Sequence, residues 1–376
     1  MELAIIEYMS LALFEVILGV VMSAYVPMEN ERKWKYLVLA FVPIALMVMF
    51  HDISIGNDTN TYSDLFYALQ YMPFDQLFDN SRYEKGYLML SWLLAHIFGS
   101  SQWLFIITGA ITCTSIFCWL YYNISAPGLF MVLCVEMLTL DSWMSANRQT
   151  LALMILLCAY NCLVHNKNIA TIMCIVLATF FHNAAFIFFP AYIFFWVFYK
   201  KRNGNFNVKR ITYILIFLTI IIGAAFSGIL ASIIDTFFPI YSYYQEGMYM
   251  DGEVRVAVIL KLLVAIIMIL IPNIMAPKVM YEYRQGKVGL TLYLFSLFNI
   301  IFMYLSLQAT IIMRLAGVFS LFIIGNYAEN IALLKDHYNR YIMIILSIFL
   351  FGIYGLIVTI YRTPQWQTTY PFHFFF

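Results

Sequence analysis

Long apolar runs recur along this chain, parted by short clusters of Lys, Arg, Asp, Asn, Gly and Pro. About 20 apolar residues are what a membrane-crossing helix needs, since ~30 Å of hydrocarbon is covered at ~1.5 Å per residue. The pattern predicts helices over 3–26, 35–51, 85–99, 102–122, 147–165, 168–182, 184–200, 210–232, 255–275, 288–308, 312–334 and 340–361. The run 127–142 is too short to span comfortably and reads as a re-entrant or half-helix. The expected fold is an all-α polytopic integral membrane protein. It has about twelve transmembrane helices plus the half-helix, in a single transmembrane domain over residues 1–376. The short alternating segments of a β-barrel do not occur.

Two loops stand out. In 52–84 the turn-forming GNDTNT precedes Tyr62, Leu65, Phe66 and Leu69, which fall at i, i+3, i+4 and i+7. That spacing predicts an amphipathic helix suited to lying at the membrane surface. The second loop, 233–254, is crowded with tyrosines, Tyr244 among them.

Composition sharpens the class. The chain is 63% hydrophobic and 11% charged, whereas about a quarter of a soluble domain is charged. A net charge of +1 without a basic tract gives no sign of nucleic-acid binding. The six cysteines fall in predicted helices, form no CxxC and read as small core hydrophobes. The N-terminal MELAIIEYMS lacks the basic region and cleavage site of a signal peptide.

Orientation follows from Lys and Arg. Clusters at Arg32/Lys33/Lys35, Lys200/Lys201/Arg202/Lys209/Arg210, Lys278/Arg284/Lys287 and Lys335/Arg340 mark cytoplasmic loops, so both termini and the loops 52–84 and 233–254 face outward. The charge rule does not decide whether 168–200 is one helix or two. A break at His182-Asn183 places Asp58, Arg148, His182 and Arg314 on one side, and it is the version expected here.

Arg148 (in SWMSANRQTLALMILLCAY), His182 (in LATFFHNAAFIFF) and Arg314 (in SLQATIIMRLAGVFS) sit among apolar residues. An ionisable group at membrane depth costs several kcal/mol unless paired or hydrated, which makes it a candidate functional residue. No P-loop, HExxH or GxSxG occurs, and Asp52, Asp58 and Asp64, six residues apart, do not have metal-ligand spacing. No metal or cofactor is expected. Outward arginines suit a diphosphate, because the guanidinium fork donates several hydrogen bonds and keeps its charge. Tyrosine faces suit sugar rings. Each residue also has a plainer reading. Arg148 can snorkel, Arg314 can pair inside the bundle and His182 can link a helix break. Asp58 or Glu84 can cap a helix, Glu84 can pair with Arg82, and Arg255 can anchor at the interface.

The ordered series GNDTNTY, RYEKGY, ANRQTLAL, FFHNAAFIFFPAY and MRLAGVF, between about residues 50 and 320, resembles the EpsG family of polysaccharide polymerases, which is similar to the Wzy-type polymerases. The resemblance implies a multi-pass enzyme of the bacterial plasma (inner) membrane, joining repeat units carried on undecaprenyl diphosphate at its outer face. The acidic position of the first motif falls on Asp58, with Tyr62 following. The carboxylate before Gly-Tyr falls on Glu84, the Arg-Gln pair on Arg148 and Gln149, the His-centred motif on His182 and the late arginine on Arg314. Lys85 stands where a proline often precedes the glycine, and Gly317 where a more aromatic pattern is usual.

The expected reaction is glycosyl transfer between two polyprenyl-diphosphate oligosaccharides. Arg148 and Arg314 grip the departing diphosphate, and His182 or Asp58 acts as base. Tyr62, Glu84, Gln149, Arg82, Arg255 and Tyr244 line the substrate. Partners are the lipid-linked glycan, membrane lipid, a chain-length regulator and a flippase. The alternative is a transporter or flippase of a lipid-linked saccharide, which would use the same arginines without chemistry. A membrane acyltransferase is weaker, since His182-Asn183 alone does not make its acyl channel.

Overall fold

A computed structural model describes residues 2–79, 81–201, 256–363 and 369–376. The predicted helix 210–232, the loop 233–254 with Tyr244, and Arg255 lie outside the described residues. In chain order the helices are α1 (Glu2–Val21), α2 (Asn30–Phe50), α3 (Thr59–Leu69), α4 (Lys85–Ile97) and α5 (Gln102–Asn123). Then come α6 (Pro127–Glu136), α7 (Thr139–Ser145), α8 (Asn147–Val164), α9 (Asn168–Thr179), α10 (Phe188–Lys201) and α11 (Val256–Met275). The last five are α12 (Pro277–Tyr283), α13 (Lys287–Leu305), α14 (Met313–Val318), α15 (Ser320–Ala332) and α16 (His337–Arg362). An isolated bridge between His51 and Phe374 is the β-pairing among the described residues. The chain folds as two compact units, Met1–Phe186 with Ala328–Phe376, and Ile187–Tyr327.

Six helices are long and apolar enough to cross a membrane: α1, α2, α5, α11, α13 and α16. The pair α6–α7, bent by 70°, makes up to seven if it is taken as one span. The protein is therefore a multi-pass helical membrane protein, but the expected twelve crossings are not reached among the described residues. Three predicted crossings fall short. α4 has 13 residues, about 20 Å of helix against ~30 Å of hydrocarbon. α9 and α10 are also shorter than a span. α8 reaches 18 residues, but its first turn, Asn147-Arg148-Gln149-Thr150, is polar.

The half-helix expected over 127–142 is the α6–α7 pair. All ten residues of α6 are buried, as an all-round apolar helix demands. Leu138 breaks it in a left-handed conformation, φ 56°, and Thr139 Oγ1 donates to Cys134 O at 2.7 Å. That bond helps satisfy the backbone freed by the break. The predicted helix 312–334 is also broken, at Phe319 between α14 and α15. There Asn299 Nδ2 donates to Ala316 O at 2.8 Å, and Phe319 N takes the same carbonyl at 3.0 Å. The carbonyl is thus engaged outside the regular helical ladder.

The first unit has two recognisable ends. At one, Asp52 N donates to His373 O and Phe375 N to Phe50 O, so the C-terminal residues strap onto the end of α2. Gln102 Nε2 donates to Met49 O and His51 O there as well. At the other, Lys33 Nζ donates to Ile124 O at 3.2 Å, and Glu329 accepts from Ser125 N and Oγ at 2.8 Å. The loop helix α3 is amphipathic as expected, but its apolar face does not lie against lipid. Tyr62, Phe66 and Leu69 pack with Tyr87 and Leu88 of α4 and with Leu104 and Phe105 of α5. α4 stays with that loop, because Trp92 Nε1 donates to Met72 O and Gln70 Nε2 to Phe98 O.

α2 and α5 pack closely where Gly109 lies, since a Cβ there would come within 2.8 Å of Val48 O and 3.1 Å of Met49 Cα. Gly109→Val is expected to force the helices apart and destabilise the fold by about 1–3 kcal/mol. Thermal unfolding of the purified protein in detergent measures this, and an unchanged midpoint would refute the packing.

Candidate functional site

The break at His182-Asn183 is present. α9 ends at Thr179, and Phe181 N and His182 N both return to Ala178 O at 3.0 Å, which closes the helix in a tight turn. A short 3-10 turn, Asn183–Ile187, follows. Gly86, at the start of α4, lies against this turn. Its N–H donates to Phe180 O at 2.8 Å, and a Cβ at that position would sit 2.7 Å from the same oxygen. Only a residue without a side chain admits this approach. It brings Glu84 beside His182.

The start of α8 completes the group. Asn147 Nδ2 donates to Thr108 Oγ1 at 2.8 Å. Thr108 lies six residues along α5 from Gln102, about 9 Å below the strapped end. Arg148, one residue on, therefore starts its side chain below that end, and the side chain is 20% exposed.

Glu84 joins two of these groups through its two oxygens. Arg148 Nη1 donates to Oε2 at 2.6 Å, and His182 Nδ1 lies 3.1 Å from Oε1. Asn183 N–H donates to Oε1 at 3.2 Å. Glu84 thus neither caps α4 with its side chain nor pairs with Arg82. Burial by itself would raise the Glu84 carboxyl, but the His182 hydrogen bond and the Arg148 charge outweigh it and hold it down at about 2. In the neutral ring, Nδ1 then donates to Glu84 and Nε2 keeps its lone pair. His182 is buried, and its Nε2 has no hydrogen-bond partner among the described residues.

Aromatic groups frame the guanidinium. Arg148 Nε donates to Tyr62 Oη at 3.4 Å, and its Cζ lies 4.9 Å from the Tyr83 ring centroid and 6.0 Å from that of Tyr62. Arg82 Cζ lies 5.1 Å from the same Tyr83 ring, and its Nη2 donates to Tyr83 Oη at 3.0 Å. Tyr83 so brings a second guanidinium into the neighbourhood. Tyr62 in turn packs edge-on against Tyr87. Burial raises the Tyr62 hydroxyl against the lowering pull of Arg148, which keeps the phenol a neutral acceptor.

The structure therefore assembles Arg148, His182, Glu84, Tyr62 and Arg82. Asp58 precedes α3, is exposed and makes no capping hydrogen bond with its side chain. Gln149 is half-buried in the first turn of α8. Arg314 is half-buried in α14, in the second unit. Tyr83 was not singled out from the sequence, and Asn183 was named only as part of the helix break. The Tyr83 role rests on Arg148, which is far along the chain, and the Asn183 contact is made by backbone. Among the described residues no group of three His, Cys, Asp or Glu is placed to hold a metal ion.

A family model described as the EpsG family matches residues 34–374, nearly the whole chain, and the chain belongs to that family. Membership implies a polysaccharide polymerase-type function. No curated protein and no solved structure matches the chain.

Because the Glu84 carboxyl is held below its unfolded range, its stabilisation is fully present above about pH 4.5 and is lost as pH falls toward about 2. Glu84→Gln is expected to lower stability by about 3 kcal/mol at neutral pH. The gap should close on acidification. Thermal unfolding of both proteins between neutral and acid pH checks this, and a gap independent of pH would contradict the charge pairing.

Proposed function

We propose that this EpsG-family chain polymerises lipid-linked oligosaccharide repeat units by glycosyl transfer between two polyprenyl-diphosphate glycans at the outer face of the bacterial plasma membrane. The supporting observation is the shared carboxylate. Glu84 orients a histidine through one oxygen and an arginine through the other.

In this reading an acceptor sugar hydroxyl loses its proton to His182 Nε2 as its oxygen attacks the donor's anomeric carbon. The bond from that carbon to the diphosphate breaks, and the electron pair leaves with the polyprenyl diphosphate. Glu84 fixes the ring so that Nε2 is the basic nitrogen, the role a carboxylate plays beside a catalytic histidine elsewhere. Glu84 itself is too weak a base at neutral pH, with its carboxyl at about 2. His182 is preferred to Asp58 because it is buried and oriented, whereas Asp58 is exposed.

Arg148 uses Nη1 on Glu84 and Nε on Tyr62. Its Nη2 takes part in neither contact and is assigned to the leaving diphosphate, where fixed positive charge lowers the barrier. Arg82, across the Tyr83 ring, is the second cation of this site. For Arg314 the family resemblance implies a diphosphate-binding role. Tyr62, Tyr83 and Gln149 line the sugar side. The donor is already activated by its diphosphate, so no nucleotide sugar is needed. A flippase that delivers the donor and a regulator of chain length are the partners such chemistry calls for.

The flippase reading uses the same cations but has no work for an oriented His182. Arg148→Ala is expected to leave single lipid-linked repeat units on the outer face, read by extraction and mass analysis after surface labelling. Accumulation on the inner face would hand the function to transport. His182→Ala is expected to lower kcat by about 10²–10⁴-fold with KM little changed. Full activity in that variant would remove the base.

A further inference from the structure

The second unit holds a buried cation that the proposed reaction does not use. Arg284 follows the last turn of α12 and is 7% exposed. Its guanidinium stacks on Tyr293 of α13, with Cζ 3.7 Å from the ring centroid. Its Nη2 is buried and has no hydrogen-bond partner among the described residues. No carboxylate among those residues forms an ion pair with it, and Glu282, its nearest acid in sequence, is exposed. A buried guanidinium without a counter-charge is costly, and its planar fork fits the oxygens of a phosphate.

A second feature points to an anion at the same place. α13 begins at Lys287 with no side-chain cap, so its first turn presents the positive end of the helix dipole. Gly286 N donates to Tyr283 O at 3.0 Å, and Gly289 lies so close to Tyr283 that a Cβ there would meet its carbonyl oxygen and ring. These contacts hold the turn that carries Arg284 against the start of α13. Side chains lean toward the N-terminus of their helix, so the Tyr293 ring, and the guanidinium on it, stand over that first turn. Lys287 brings a second cation, with Nζ 5.2 Å from the centroid of the Tyr199 ring of α10. That contact sets the end of α10, which closes in Lys200-Lys201, on the same face.

Depth identifies the kind of phosphate. The segment 276–286 joins α11 to α13, both long and apolar enough to span, so it lies at a membrane edge. Ile274, Met275 and Tyr281 are exposed there, and so is Lys278. Exposed apolar side chains beside clustered cations match a phospholipid, whose charged phosphate sits above acyl chains. A soluble phosphate would use the cations alone. The charge rule assigns Lys278, Arg284 and Lys287 to the cytoplasmic side.

We propose that Arg284, Lys287 and the first turn of α13 bind the phosphate of an anionic phospholipid in the cytoplasmic leaflet. Arg284 donates to the phosphate oxygens while Tyr293 holds the plane of its fork. Lys287 adds charge, and the residues exposed around the turn meet the acyl chains.

The test needs no glycan, so its outcome is separate from that of the polymerase reading. The purified, delipidated full chain is titrated with phosphatidylglycerol, phosphatidylcholine or inorganic phosphate, and bound molecules are counted by native mass spectrometry. Phosphatidylglycerol is expected to bind, and Arg284→Gln to weaken its tightest site by about tenfold or more. Lys287→Gln, at a half-buried position, is expected to weaken it by about fivefold. This second variant carries the test if the first does not fold. Inorganic phosphate binding lost in the variants, with phosphatidylglycerol binding unchanged, would overturn the lipid assignment and leave a site for soluble phosphate. Phosphatidylglycerol held equally by wild type and both variants, or no more tightly than phosphatidylcholine, would overturn the proposal.

Discussion

One buried carboxylate organises the candidate site. Glu84 is 7% exposed, and a charge taken so far from water is tolerated only with partners. It has three: the guanidinium of Arg148, the imidazole of His182 and the backbone N–H of Asn183. These come from the start of α8 and the turn after α9, while Glu84 precedes α4. The pairing therefore ties three separate backbone segments together at one depth. It also neutralises the first cation of the site, so a second, Arg82, gains weight. In the proposed reaction the diphosphate would meet the Nη2 edge of Arg148 and the exposed Arg82, with Tyr83 between them.

Much of this was legible in the sequence, and the part that was not has a physical reason. Helix positions followed from apolar runs, since α1, α2, α5, α11, α13 and α16 fall close to their predicted ranges. The half-helix at 127–142 followed from length alone. The break at His182-Asn183 followed from wanting the charged groups together, and the backbone turns there. Length was the weak point for α4, α9 and α10, because an apolar run does not say where a helix breaks: α9 stops at Thr179 although Phe180 and Phe181 continue the run. The role of Glu84 was not legible. Its neighbours Arg82 and Lys85 offered local partners, while the real ones lie far along the chain. Gly86 carried a hint, as a glycine where backbone approaches backbone, but the sequence did not say which backbone.

Helices that stop short are what make room for chemistry here. A continuous transmembrane helix satisfies its own backbone and presents only side chains. α9 ends in mid-unit, and its broken turn offers the N–H of Asn183 to Glu84. α6 ends at Glu136 before the left-handed Leu138, and its carboxyl is left facing Gly352 of α16. Irregular backbone inside a membrane protein is tolerated only where it is shielded by protein or lines a cavity, so each break marks a place where the fold has arranged compensation.

Three of the buried glutamates, Glu84, Glu15 and Glu136, then divide by their surroundings. Glu84 faces a guanidinium, an imidazole and an amide, so it holds its negative charge and lends it to orient others. Glu15 and Glu136 face phenols, a thiol and glycine, with nothing positive among them. The same side chain is a fixed anion in the first setting and has no cationic hydrogen-bond partner among the described residues in the second. What separates them is the set of partners around Glu84, the His182 ring, the Arg148 guanidinium and the Asn183 amide, and not depth or residue type. A cation moved beside Glu136 would turn it into a second structural ion pair, whereas removing Arg148 alone would leave Glu84 with the His182 ring and the Asn183 amide.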